Sequence, residues 1–175
     1  VKEACEYPEN VKILPLDLEH YNNFSVVAET AIKLFGSIDM LFNNGGISQR
    51  SLVKDTSIDV DKRIMDINYL GTVALTKAIL PHFIQKKCGH FVVTTSIVGK
   101  VATPLRSSYS ASKHALHGFF DSLRAEVYQN NIEVTLVCPG FVKTNVSLNA
   151  LTGDGTPQNI MDVATNNGLT SEAFV

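Results

Sequence analysis

The feature that most constrains this chain is the alternation of short apolar runs with long stretches of helical periodicity. The runs are Val11-Lys12-Ile13-Leu14-Pro15-Leu16, Ile38 to Phe42, His90 to Thr95 and Ile132 to Cys138. Their length and β-branched content suit strands. Pro15 places the first at a strand end or a sheet edge, because proline has no N–H to give to a ladder. Ile38 to Phe42 is dense in apolar residues, as expected of a strand buried on both faces of a parallel sheet.

Between the runs, Asn23 to Phe35 carries Phe24, Val27, Ala31 and Leu34 at helical spacing and stops at Gly36. Ile58 to Lys87 reads as one long helix that Pro81 is expected to kink. Ser107 to Gln129 carries a second stripe through Leu116, Phe119/Phe120, Leu123 and Val127. The resulting order β, α, β, α, β, α, β implies right-handed crossovers. The expected fold class is therefore α/β, a doubly wound, Rossmann-like parallel sheet with helices on both faces. Residues 1–175 read as a single domain, in which the polar, turn-rich segment 145–175 is expected to be a substrate lid.

Composition narrows the class. With 45% hydrophobic and 18% charged residues the chain can bury a core, which argues against disorder. A net charge of -2 without a block of like charges argues against nucleic acid as a partner. No apolar run approaches the roughly 18 residues of a membrane span, and Val1 to Asn10 is too polar for a signal peptide. Because the chain opens at Val1, in what reads as the tail of a helix to Glu6, membrane association through an upstream anchor stays open. The three cysteines, Cys5, Cys88 and Cys138, form no Cys-x-x-Cys pair, which points to a reducing compartment. The cytoplasm is expected, with the endoplasmic reticulum membrane as the alternative if an anchor precedes. Cys138 is expected to be a small buried hydrophobe.

In an open parallel sheet, ligands bind beyond the carboxyl ends of the strands. The residues there are Asp17, Asn43-Asn44-Gly45-Gly46, Ser96 and Pro139-Gly140. On the following helix, Tyr109 and Lys113 are four residues apart and share a face. An ammonium near a phenol favours the phenolate and makes it a better acid/base, and Ser96 is positioned to polarise a carbonyl. Five tyrosines and eleven lysines give a bare Tyr-x-x-x-Lys about 0.3 chance occurrences, so the context must carry the assignment. Asn68 is an unusual mid-helix polar residue, whose blander reading is a helix bend. Asn43 to Gly46 has the blander reading of a tight loop. His114 and His117 lack a third ligand at a useful spacing, so no metal is assigned.

In order, Asn43-Asn44-Gly45-Gly46, Asn68, Ser96, Tyr109-x-x-x-Lys113 and Pro139-Gly140 resemble the motifs of the short-chain dehydrogenase/reductase family, across nearly the whole chain. Gly45 stands where that family usually has alanine. The stretch from Asn44 through Leu52 is similar to the member 7-like branch of that family. The resemblance implies an NAD(P)-dependent oxidoreductase interconverting an alcohol and a ketone or aldehyde by hydride transfer. It implies a catalytic set of Asn68, Ser96, Tyr109 and Lys113, with Tyr109 as acid/base, Lys113 lowering its pKa and holding the nicotinamide ribose, Ser96 orienting the carbonyl, and Asn68 holding a relay water.

Cofactor contacts are implied for Asp17 and Leu18 at adenine, Asn43 and Gly45 at the adenosine ribose, Tyr109 and Lys113 at the nicotinamide ribose, and Pro139, Gly140, Val142 and Thr144 around the nicotinamide amide. NADP is favoured over NAD by resemblance alone. The family's glycine-rich turn is absent, so the chain is expected to be a fragment, incomplete at both ends of the sheet and inactive by itself. A homo-oligomer is expected of the full-length protein, with a small apolar carbonyl or alcohol as substrate, since Ile97, Val98, Val101, Pro104 and Leu105 suggest an apolar wall. The competing readings are a catalytically silent Rossmann-like binding or scaffold protein and a sugar-nucleotide epimerase or dehydratase.

Overall fold

Three parallel strands, β1 (Met40–Asn43), β2 (Gly89–Thr94) and β3 (Ile132–Val137), lie side by side in that order in the computed structural model, which describes residues 2–174. The register sets Leu41 beside Phe91 and Phe91 beside Val134. These residues point to one face, because successive side chains of a strand alternate. On that face lie α1 (Phe24–Phe35), α3 (Thr72–Lys86) and α4 (Ser107–Val127). Ala28 of α1, Ile79 and Phe83 of α3, and Leu116, Phe120 and Leu123 of α4 close one core over Phe91, Val93 and Val134. The two crossovers, through α3 and then α4, step the same way across the sheet, and a fixed right-handed sense puts both helices on the same face. The parallel α/β architecture expected from the alternation is present.

Two apolar runs behave differently from expectation. Val11 to Leu16 pairs with no strand among the described residues, so three strands form rather than four, and Ile13 is 67% exposed. A segment with β-forming side chains becomes a strand only when a neighbouring ladder takes its N–H and C=O groups. Likewise β1 is not buried on both faces: it pairs with β2 alone, and Phe42 is 65% exposed. An apolar run without alternation does not distinguish an edge from a centre.

The long helix divides into α2 (Ile58–Met65) and α3, joined by a π-helical turn over Asp66–Gly71. The interruption falls at Asn68 and not at Pro81, which sits inside α3. At the start of the chain, a 3-10 turn over Lys2–Ala4 stands where a helix tail was expected, and Val1 lies outside the described residues. Beyond β3, among the described residues, two single-turn helices form, α5 (Val163–Asn166) and α6 (Ser171–Phe174). This segment folds back: the Leu151 N–H donates to the Ser48 carbonyl at 2.8 Å, and the Arg50 N–H donates to the Leu151 carbonyl at 2.8 Å. Leu151 then packs on Val60 and Ile64 of α2. Gly153 makes the approach possible, since a Cβ there would lie 2.0 Å from the Asp55 carbonyl oxygen. No helix among the described residues is long and apolar enough to cross a membrane.

Candidate active site

Helix α4 carries Tyr109 and Lys113, and its seat is set by the buried stripe Leu116, Phe120, Leu123 and Val127. Its first turn has no side-chain cap from Arg106, the residue before it. Gln49 supplies the cap from elsewhere: fully buried, it accepts from the Ser108 N–H at 3.0 Å and donates to the Ser107 hydroxyl at 3.3 Å. The Ser108 hydroxyl donates to Asp61 of α2. One orphan N–H of the helix N-terminus is thereby satisfied by a side chain remote in sequence.

Asn68 is also fully buried, in the π-helical turn. Its Nδ2 donates to the Ile47 carbonyl at 2.9 Å and the Ser112 hydroxyl at 3.0 Å, while Oδ1 accepts from the Ile47 N–H at 2.8 Å. Ser112 in turn donates to the Tyr109 carbonyl at 2.8 Å. Both N–H groups of this side chain are committed to protein. Asn68 thus ties the loop after β1 to the turn of α4 that carries Tyr109. A Cβ on Gly46 would sit 3.0 Å from Asn68 Oδ1 and 3.7 Å from Lys113 Nζ, so loop, amide and ammonium meet at one point.

A cleft of about 350 Å³ opens beyond the carboxyl ends of β2 and β3, with Ser96, Tyr109, Gly140 and Val142 in its wall. Ser96 caps the short turn Ile97–Gly99, its hydroxyl accepting from the Val98 N–H at 3.3 Å, and it shares the cleft wall with the Tyr109 phenol. Burial pushes the Tyr109 phenol above its ordinary range, against the Ser96 hydroxyl and the positive charges of Arg106 and Arg50. Lys113 is 5% exposed, donates from Nζ to the Thr94 carbonyl at 2.9 Å, and lies 5.7 Å from the centre of the Tyr109 ring. Burial pulls its ammonium down to about 8. Lys113 thus stands over the Tyr109 ring with its ammonium on the Thr94 carbonyl.

Those arginines form a second cluster in the cleft wall. Asp162 accepts from Arg50 Nε at 2.8 Å and from Arg106 Nη2 at 3.2 Å, and it also pairs with Arg50 Nη2. Arg50 Nη1 donates further to the Ser48 hydroxyl at 2.8 Å and the Gln49 carbonyl at 2.6 Å. Burial works to raise the Asp162 carboxyl, but hydrogen bonds from Arg50 and Ser147 and the Arg50 charge outweigh it and hold the group at about 2. Arg106 lies 5.9 Å from the Phe141 ring centre, and burial with Arg50 nearby pulls its guanidinium down.

Of the residues expected at a cofactor, Tyr109, Gly140 and Val142 line the cleft. Asp17 is exposed, and hydrogen bonds from the Glu19 N–H and His20 hold its carboxyl below its usual range. Leu18 covers Gly45, where a Cβ would meet Leu18 Cδ1 at 2.7 Å. Asn43 is buried, and its amide donates to the Thr76 hydroxyl at 3.1 Å, so it pins β1 to α3. The Pro139 carbonyl accepts from the Ile97 N–H at 3.0 Å, and Gly140 faces open space. Thr144 is exposed and outside the cleft wall, its hydroxyl accepting from the Val146 N–H at 3.4 Å. Cys138 is exposed rather than buried, with its sulfur 3.2 Å from the Thr95 hydroxyl and 3.7 Å from His117 Nε2. It follows the last residue of β3, where the sheet ends and helix cover stops. Gln49, Arg50, Arg106 and Asp162 went unrecognised in the sequence, since no local spacing links Arg50 to a residue 112 positions away.

The chain belongs to the short-chain dehydrogenase family, whose model matches residues 1–154. It is 52% identical over 160 residues to dehydrogenase/reductase SDR family protein 7-like of Anopheles gambiae, covering 91% of this chain and 50% of that protein. It is 51% identical over 152 residues to dehydrogenase/reductase SDR family member 7B of Bos taurus, covering 87% of this chain and 47% of that protein. The chain thus spans about half the length of these curated relatives. Among solved structures, ElxO with NADP bound is similar at 30% identity and a TM-score of 0.76, over 79% of this chain and 56% of the other.

Proposed function

We propose that this chain forms the catalytic half of an NAD(P)-dependent oxidoreductase that interconverts an alcohol and a ketone or aldehyde. The observation that carries the reading is that Ser96 and Tyr109 stand together in the wall of a cleft beyond the strand ends. The residues present suit the nicotinamide end of a dinucleotide: the backbone at Gly140 faces open space beside the two hydroxyls, so a flat ring can approach closely. The bound cofactor supplies the hydride acceptor or donor. Tyr109 and Lys113 would hold the nicotinamide ribose, Pro139, Gly140, Val142 and Thr144 would border the amide, and Asp17, Leu18, Asn43 and Gly45 would line the adenosine end. NADP is the favoured cofactor, in keeping with ElxO, which binds it.

In this reading Ser96 orients the substrate oxygen and Tyr109 exchanges a proton with it. In the direction of carbonyl reduction the phenol donates its proton as the oxygen gains charge. In the direction of oxidation the phenolate takes the hydroxyl proton. Asn68 keeps the Tyr109 turn in place through Ser112. Exposed Ile97 and Phe141 in the wall favour a substrate with an apolar body, and the segment 145–175, which contributes Val146 and Thr165, acts as its lid. The test is oxidation of NADPH and of NADH by the full-length protein supplied with a panel of apolar ketones and aldehydes. Turnover with one of them is expected; binding of a cofactor without any turnover would move the assignment to a silent binding protein.

A further inference from the structure

We infer that Gln49 is a positioning residue for Tyr109, fixing the first turn of α4 against the loop segment that carries Ser48 and Arg50 into the cleft wall. The inference rests on the acid/base reading of Tyr109 and goes beyond it, because Gln49 lies outside the cleft wall and reaches the phenol only through the backbone of α4. Tyr109 is the third residue of α4, in the turn whose N–H groups have no partner inside the helix. Such a terminal turn frays unless something outside the helix holds it. Gln49 Oε1 accepts from the Ser108 N–H at 3.0 Å, one residue before the phenol. A backbone N–H can only donate, so this contact fixes which way the amide points. Nε2 then meets the hydroxyls of Thr56 at 3.0 Å, Ser51 at 3.1 Å and Ser107 at 3.3 Å. The side chain is fully buried, and a satisfied amide network fixes one geometry where an apolar side chain would only fill space.

A second buried amide holds the other side of Tyr109. Asn68 donates to Ser112, which donates to the Tyr109 carbonyl, and Asn68 also grips both backbone groups of Ile47. Ile47 and Gln49 are two residues apart, so one short segment is fastened to α4 before and after the phenol. Neighbouring side chains of that segment point to different partners. Ser48 and Arg50 stand in the cleft wall, where Arg50 continues to Asp162. Gln49 turns to the start of α4, and beside it the Ser51 N–H donates to the Leu105 carbonyl at 3.1 Å. Gln49 therefore sets the wall on which a substrate rests in register with the group that exchanges its proton. Register matters because a displacement of about 1 Å at reacting atoms can cost roughly 100-fold in rate.

The test measures kcat and cofactor Kd in the full-length protein, with kcat expressed per cofactor-binding site. Gln49→Met keeps the volume and removes all four hydrogen bonds. Its kcat per site should fall about 10-fold or more while Kd stays within about two-fold. Gln49→Glu, which keeps an acceptor for the Ser108 N–H, should restore most of the rate. A merely structural role lowers the number of binding sites and leaves the rate at each unchanged. Placed on the Tyr109→Phe background, Gln49→Met should cost no further residual turnover, because its effect passes through the phenol. A rate per site within about two-fold of wild type, or an equal loss on the Tyr109→Phe background, overturns the inference. If Gln49→Met does not fold, Gln49→Asn, one methylene shorter, is judged by the same two criteria. The acid/base reading fails separately, if Tyr109→Phe keeps its turnover.

Discussion

Lys113 carries opposing demands within one side chain. Its ammonium lies 5% exposed with a single carbonyl partner, and burial holds its pKa at about 8, below the ordinary 10.5. Because the folded state gives up this proton at lower pH than the unfolded chain, the penalty is fully present below pH 8 and is relieved as pH rises from there toward 10.5. Lys113→Met is therefore expected to stabilise the protein at pH 7 by up to roughly 3 kcal/mol and to flatten its stability between pH 8 and 10, as read by denaturant melts. The same variant should lose turnover, since Lys113 holds the ribose in the proposed reaction. An unchanged or lower stability at pH 7 would contradict the burial account. The Tyr-x-x-x-Lys spacing was legible in the sequence because both side chains share one helix face. The direction of the Lys113 ammonium was not legible, because the carbonyl it meets belongs to β2.

Helix α4 shows how elements position chemistry. Its apolar stripe was readable as a 3/4 pattern, and the core it forms with β2 and β3 is the one that pattern predicts. What fastens its N-terminus was not readable, since Gln49 lies 59 positions from the Ser108 N–H it accepts from. Gln49→Ala removes the partner of that buried N–H and of the Ser107 hydroxyl and should cost about 2–3 kcal/mol, measured by chemical denaturation. A second expectation follows for the deep anchor of the same helix: Phe120→Ala, at a fully buried site, should cost about 3–5 kcal/mol. The π-helical turn was invisible to periodicity, which sees apolar positions but not the extra residue that turns Asn68 inward. In the same way, an apolar run at Val11 to Leu16 carries strand propensity without revealing whether a ladder lies beside it.

At the scale of the molecule, the segment beyond β3 is joined to the rest of the site by charge as well as by the Leu151 bridge. Asp162 holds Arg50 and Arg106, and because its carboxyl is depressed to about 2, that contribution is present above its unfolded value near 3.8 and is lost as pH falls toward 2. Acid should thus loosen this segment from the cleft, and Asp162→Asn should abolish that part of the acid transition, detectable by hydrogen exchange at residues 145–165. Fold class was legible because local order and spacing encode it, and so was the shared helix face of Tyr109 and Lys113. The arginine and aspartate cluster was not, because only the tertiary fold brings positions 50, 106 and 162 together. The most direct test of the account compares kcat and cofactor Kd for the full-length protein and its Tyr109→Phe variant. The prediction is a fall in kcat of about 100-fold or more with Kd nearly unchanged. Turnover within a few-fold of wild type would show that Tyr109 is not the proton-transferring group.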